Sequence, residues 1–366
     1  LLRAGNFRPC ISSNCIFFWR HNITPYPIII VPGSIPRIIL EDCCKQVLFL
    51  PAVKVNKNIK IFFNYFLGPL LFIWLAWSIY KQVSNQEGLE ESLLEIRHSL
   101  SSAHILYLVL TILFMMVNWG LEAWKWMLAV RKVQEISFVR AFKAVFSGIS
   151  FSVSTPNSIG EYVGRVLYMS EGNRIKAISL TIIANMSQLI ITFLMGTVAL
   201  FFLKDHLTAE SDIPRALANG ILYTSAFIVI TLTLFYFRLP WLIKIIDKLP
   251  QVSRFSWAIE AIEHINATLL LKFLSLSVAR FVVFSLQYFL LFQLFKVDVS
   301  ILQSWMGISV MFLIMAIIPT IALFTDLGLK NELSIRLMGL FTTNHLGVSL
   351  TSLSIWLINL VVPALI

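Results

Sequence analysis

Six apolar runs, at 61–80, 105–119, 178–203, 217–237, 269–295 and 346–366, leave this chain few ways to fold. Hydrocarbon offers no water to backbone N–H and C=O groups, so each run must close its hydrogen bonds internally, as a helix. About twenty residues carry a helix across the ~30 Å apolar slab. Composition agrees: 58% of the residues are hydrophobic and 13% charged, against roughly 45–50% and 25% in soluble domains. The expected fold is an all-α polytopic membrane bundle. No soluble catalytic domain fits in what remains.

The net charge of +10 does not point to nucleic acid. Its cations gather in short segments between apolar runs, around 54–60, 125–143, 174–176 and 238–254, as cytoplasmic loops do. The segments around 87–98 and 204–212 are acidic and are placed outside. For these sides to alternate, residues 141–171 must enter and leave on the cytoplasmic side, as a re-entrant element or an even pair of crossings. The segment 238–263 reads as an amphipathic helix on the membrane surface. Residues 1–53 read as an extension or misplaced start, with a cytoplasmic arm as the second reading. The apolar end of the chain reads as a truncated span. Residues 54–366 form the membrane domain, with a first half at 54–203 and a second at 216–366.

One stretch stands apart, from Gly148 through Thr155, Pro156, Asn157, Ser158, Gly160 and Glu161 to Arg165. It is rich in Ser, Gly and Pro and carries both charges in an apolar neighbourhood. Irregular backbone is tolerated at membrane depth only inside protein or beside a wet cavity, and charge there marks a pathway or a site. The expected structure is a broken, re-entrant helical hairpin. A related pattern recurs: Gly307-Ile308-Ser309, then Pro319, Gly328, Glu332 and Arg336. Each copy ends in a glutamate and an arginine four residues apart, a spacing that pairs them on one helix face. With three full crossings per half, the second half is inverted, and its hairpin enters from the other side. The whole is then about six spans and two re-entrant hairpins in an inverted repeat, the way many transporters build a site near the midplane.

These residues resemble a known family. The run Trp119-Gly-Leu-Glu122-Ala-Trp124-Lys125-Trp126, the stretch Phe142 to Arg165, and Ser187-Gln188 are similar to the flippase-like family, the transmembrane region of lysylphosphatidylglycerol synthetase. The similarity is expected from about Asn56 to the end. The second hairpin departs from the family form, with one residue more between Gly328 and Glu332. The resemblance implies a multi-pass protein of the bacterial inner membrane that moves a lipid-linked substrate between leaflets. In two-domain relatives a cytosolic aminoacyl transferase supplies that lipid. Without it, lysyl transfer by this chain alone is not implied.

Glu161 and Arg165 are the first choice for contacting a headgroup. A guanidinium binds phosphate bidentately, and a carboxylate suits an ammonium. Thr155, Asn157, Ser158 and Gly160 would supply neutral hydrogen bonds, and Glu332 and Arg336 the second half's contribution. Glu122 and Lys125, beside three tryptophans, read as interface anchors. Arg280 reads as snorkelling to the interface, with a place in the bundle interior beside Gln287 as the second reading. Asn185 and Gln188 read as helix-to-helix hydrogen bonds. The six histidines are scattered, and no nucleophile elbow, P-loop or metal-ligand pattern appears. Neither enzyme activity, a cofactor nor a metal is expected. The expected partners are membrane lipids, a separate lipid synthase or transferase, and a further copy of the chain. Two rival readings are an intramembrane lipid-modifying enzyme and an accessory partner of a separate synthase.

Overall fold

The computed structural model describes residues 104–153, 159–210, 214–238, 265–318 and 323–365, with isolated positions between 77 and 98. All of them lie in the unit Val55–Ile366. Among the described residues the regular structure is all helical, with no strand. Helix α1 spans Ile105–Val130, α2 Phe138–Val153, α3 Gly160–Val166, α4 Arg174–Glu210 and α5 Arg215–Phe237. Helix α6 spans Ala267–Leu294, α7 Ile301–Ile317, α8 Leu323–Met338 and α9 His345–Trp356. A π turn at Leu357–Val361 joins α9 to α10, Val362–Leu365.

Five helical stretches are long and apolar enough to cross a membrane: Ile105–Val130, Glu171–Thr208, Arg215–Phe237, Ala267–Leu294 and His345–Leu365. These match five of the six expected spans. The sixth, at 61–80, and the surface helix at 238–263 fall outside the described residues, apart from isolated positions.

Their side chains are arranged as lipid requires. On α1 the exposed residues Leu106, Val109, Leu113, Met116 and Val117 form one apolar stripe. Its opposite face buries Thr111, Asn118, Glu122 and Lys125. Polar groups turn inward because lipid cannot satisfy them and neighbouring helices can.

The four remaining helices are shorter. At about 1.5 Å per residue, the 16 residues of α2 reach about 24 Å and the 7 of α3 about 10 Å. The 17 of α7 and 16 of α8 reach about 25 Å and 24 Å. Each falls short of a ~30 Å hydrocarbon core. They pair instead. Helices α2 and α3 cross at Gly148 and Gly164, where a Cβ built on Gly164 would lie 2.6 Å from the Gly148 Cα. Such an approach is open only to two residues without side chains. Helices α7 and α8 lie together through Met311 and Ser334, whose Oγ–Sδ distance is 3.0 Å, and through Gly307 beside Met338.

Each hairpin is closed at its base. Ser170, past α3, donates through its N–H and Oγ to Gln134 Oε1, before α2, at 2.9 and 2.8 Å. Asn344, past α8, donates to the carbonyls of Phe295 and Lys296, before α7, at 3.2 and 3.1 Å. The long helices α1 and α6 pack along each other in antiparallel fashion. His104 pairs with Lys296, Thr111 with Gln287 and Asn118 with Arg280, so one index climbs as the other falls. The first base sits at the C-terminal end of α1 and the second at the C-terminal end of α6. The hairpins are therefore rooted at opposite ends of the bundle.

The order long helix, short pair, long helix thus occurs twice, as α1 to α4 and as α6 to α10. Contacts between the halves correspond as well. Gly196 of α4 packs closely on Ser309 and Leu313 of α7, while Ser150 of α2 donates to the Ala364 carbonyl of α10 at 3.0 Å.

Candidate functional site

Helix α1 sets the centre of the site. Asn118, Glu122 and Lys125 follow one another at intervals of four and three and share one face. Trp126 beside them is fully buried and donates from Nε1 to Thr181 of α4 at 3.0 Å, which holds that face against the bundle. The close crossing of α2 and α3 then brings α3 in, with Glu161 in its first turn and Arg165 in its last.

Arg165 is 1% exposed. One terminal nitrogen donates to Glu122 Oε1 at 2.9 Å and the other pairs with Glu161. On its far side Glu122 pairs with Arg280 of α6 and with Lys125, 2.9 Å away. Arg280 also donates from Nε to Asn118 Oδ1 at 3.1 Å, and its guanidinium lies 5.6 Å from the Trp119 ring centroid. Five side chains thus form one ionic cluster: Glu122, Lys125, Glu161, Arg165 and Arg280. Three are cations and two are carboxylates, so its formal charge is +1. Glu161 is its open member, with a quarter of its side chain exposed.

One donor in the cluster is unfilled among the described residues: Arg165 Nε is buried without a hydrogen-bond acceptor, whereas Lys125 Nζ meets Glu122 at 2.9 Å. A buried donor without an acceptor costs about 1–3 kcal/mol, more when it is charged. An arriving anion would relieve that cost.

The expected site residues separate into three groups. Glu161 and Arg165 enter the cluster, and Gly160 is buried at the start of α3. Thr155, Asn157 and Ser158 lie outside the described residues. Glu332 and Arg336 pair with each other on α8 at 2.7 Å, but Arg336 is 65% exposed and neither belongs to the cluster.

Two sequence expectations are corrected. Glu122 and Lys125 are not interface anchors, being 2% and 0% exposed. Helix α1 continues to Val130 and carries them inside. Arg280 does not snorkel: its head is held by Glu122 and Asn118, and its side chain is 15% exposed. The signal was present as spacing. Thr111, Asn118, Glu122 and Lys125 follow at intervals of seven, four and three, and Ser277, Arg280 and Gln287 on α6 at three and seven. Such a repeat turns a whole set of polar groups to one face. Asn185 does link helices, donating to the Tyr162 hydroxyl at 3.4 Å.

Residues 65–325 match the family model described as Lysylphosphatidylglycerol synthase TM region. The chain belongs to this family. The match is narrower than the resemblance read from the sequence. It holds every member of the ionic cluster and stops before Glu332 and Arg336. No curated protein and no solved structure matches the chain. As a multi-pass membrane protein of the lysylphosphatidylglycerol synthase TM region family, it carries its buried charge within the part that defines the family.

Proposed function

We propose that the chain moves a phospholipid or lipid-linked headgroup between leaflets, without chemically changing it, and that the Glu122 cluster is where the anionic part of the headgroup is held. The observation that carries this reading is the cluster's excess cation, with Lys125 and Arg165 side by side on Glu122, together with the open Nε donor of Arg165. Phosphate takes a guanidinium and an ammonium together. Glu161, partly open, would meet an ammonium or release Arg165 as phosphate arrives. The hairpins rooted at opposite ends support alternating access from two sides, in the manner of inverted-repeat transporters. On this reading both are re-entrant, the basic loops face the cytoplasm, and the setting is the inner membrane of a bacterium. A separate synthase or transferase would supply the lipid.

The test is reconstitution in vesicles carrying fluorescent phosphatidylglycerol, with leaflet exposure read by a membrane-impermeant quencher. Wild type is expected to exchange lipid between leaflets. Arg165→Lys keeps the charge but loses the fork, and Glu161→Gln keeps the shape but loses the charge. Each should slow exchange by about tenfold, the worth of one charged hydrogen bond. If both exchange lipid at the wild-type rate, the headgroup is not held here.

A further inference from the structure

The second half carries a polar feature that the cluster does not use. On α9, Ser349, Ser352 and Trp356 follow at intervals of three and four, so they share one face, and Asn359 lies in the π turn that continues the helix. The exposed leucines Leu353 and Leu357 lie on another face of the same helix. Asn331 of α8 stands opposite the first of them, with its amide donating to Ser349 at 2.8 Å.

Most of this polarity is unanswered among the described residues. Ser352 is 3% exposed, Asn359 6% and Asn331 8%, and Ser352 Oγ, Asn359 Oδ1, Asn331 Oδ1 and Trp356 Nε1 have no hydrogen-bond partner. The matching helix of the first half differs. There Thr181 pairs with Trp126, Asn185 with Tyr162 and Ser187 with Ser277, leaving Gln188 Oε1 and Thr197 Oγ1 open. A buried hydroxyl or amide with no partner is costly, so four such atoms gathered along one track call for an occupant. The π turn at Leu357–Val361 falls in the same stretch, and π turns recur at functional sites.

The unfilled atoms are neutral, two amide oxygens with a hydroxyl and an indole N–H. They fit hydroxyl groups, which both give and accept hydrogen bonds, better than they fit ions. We infer that this face of α9, with Asn331 of α8, is a hydrated track that takes hydroxyl groups, from water or from the polyol headgroup of a lipid in transit. Its use in transit rests on the proposed transport, while its hydration does not.

The test uses single cysteines at Ser349, Ser352 and Asn359, with Leu353→Cys and Leu357→Cys as controls on the lipid side. The background replaces Cys10, Cys15, Cys43 and Cys44 with serine, which removes all four native thiols. Modification by N-ethylmaleimide is followed by intact-protein mass in phosphatidylcholine vesicles. The reagent needs a thiolate, and thiolates form only where water reaches. The track positions should react at least about tenfold faster than the controls. Ser352→Cys, nearly isosteric, decides the matter even if Asn359→Cys folds poorly. Equal rates, or no reaction at Ser349 and Ser352, would overturn the track. Repeating the labelling in phosphatidylglycerol vesicles identifies the occupant. Slowing confined to the track assigns the glycerol headgroup, and unchanged rates assign water. Labelling does not require transport, so a wild type that exchanges no lipid would sink the transport reading and leave the track to be judged by its own rates.

Discussion

The two hairpins start from one local rule and end in different places. In each, a glutamate and an arginine four apart on a short helix make an ion pair. In the first hairpin the arginine is buried and reaches a second carboxylate, Glu122. In the second, Arg336 stays 65% exposed. Two differences account for this. Helices α2 and α3 meet backbone to backbone at Gly148 and Gly164, whereas at Gly307 the neighbour is the Met338 thioether. The long helix before each hairpin also differs. Helix α1 brings a buried carboxylate, while α6 holds Lys272 and Arg280 and no carboxylate along its whole length. A guanidinium is buried only where a counter-charge waits for it. The motif therefore sets the pair, and the preceding helix decides whether its arginine goes inside.

The sharpest way to break the contrast is Glu122→Gln. It leaves Lys125, Arg165 and Arg280 facing Glu161 alone, and the cluster's formal charge rises from +1 to +2. Removing one partner from a buried ionic group costs about 3–5 kcal/mol. Thermal unfolding in detergent should show a larger loss than any substitution at Gly164, Gly307 or Arg336, with lipid exchange abolished. A variant as stable as wild type would mean that Glu122 does not organise the first hairpin.

This dependence on tertiary context explains what the sequence could reveal. Long apolar runs have a single physical solution in lipid, so five spans were legible to within a few residues at most ends. That α2 and α3 are two short helices was legible too, from the Ser, Gly and Pro content of the stretch 148–160. The C-terminal end of α1 was misread. Three tryptophans around Glu122 and Lys125 look like an interface belt, and only the contact with Arg165 and Arg280 shows them to be interior. Those two arginines stand 43 and 158 residues from Glu122. No local pattern encodes a meeting at that separation. The polar repeat on α1 gave the face but not the partners.

A milder test compares the hairpin crossings. A methyl group added at Gly164 would meet Gly148 backbone at 2.6 Å, and backbone cannot step aside. Gly164→Ala should therefore cost about 1–3 kcal/mol, as overpacking does, and should slow lipid exchange by lifting Arg165 away from Glu122. At Gly307 the nearest atom is the Met338 sulfur, 2.5 Å from the added carbon. A thioether with three rotatable bonds adapts, so Gly307→Ala should cost well under about 1 kcal/mol. The same unfolding measurement on both variants checks the ordering. Equal losses would show that close approach is not what separates the hairpins.

The smallest effect is expected at Arg336. Its pair with Glu332 is 2.7 Å long, but the guanidinium end is largely open. Glu332 is buried, but solvent reaches and screens the guanidinium end, so the pair contributes at most about 1 kcal/mol. Arg336→Ala should therefore shift unfolding by at most about 1 kcal/mol and leave the Glu122 cluster untouched. Helix α8 would keep its place through Asn331 on Ser349 and Ser334 against Met311. If the exchange rate nevertheless falls as far as with Arg165→Lys, Arg336 touches the headgroup from its exposed position. The two hairpins would then be equal partners in function despite their unequal burial.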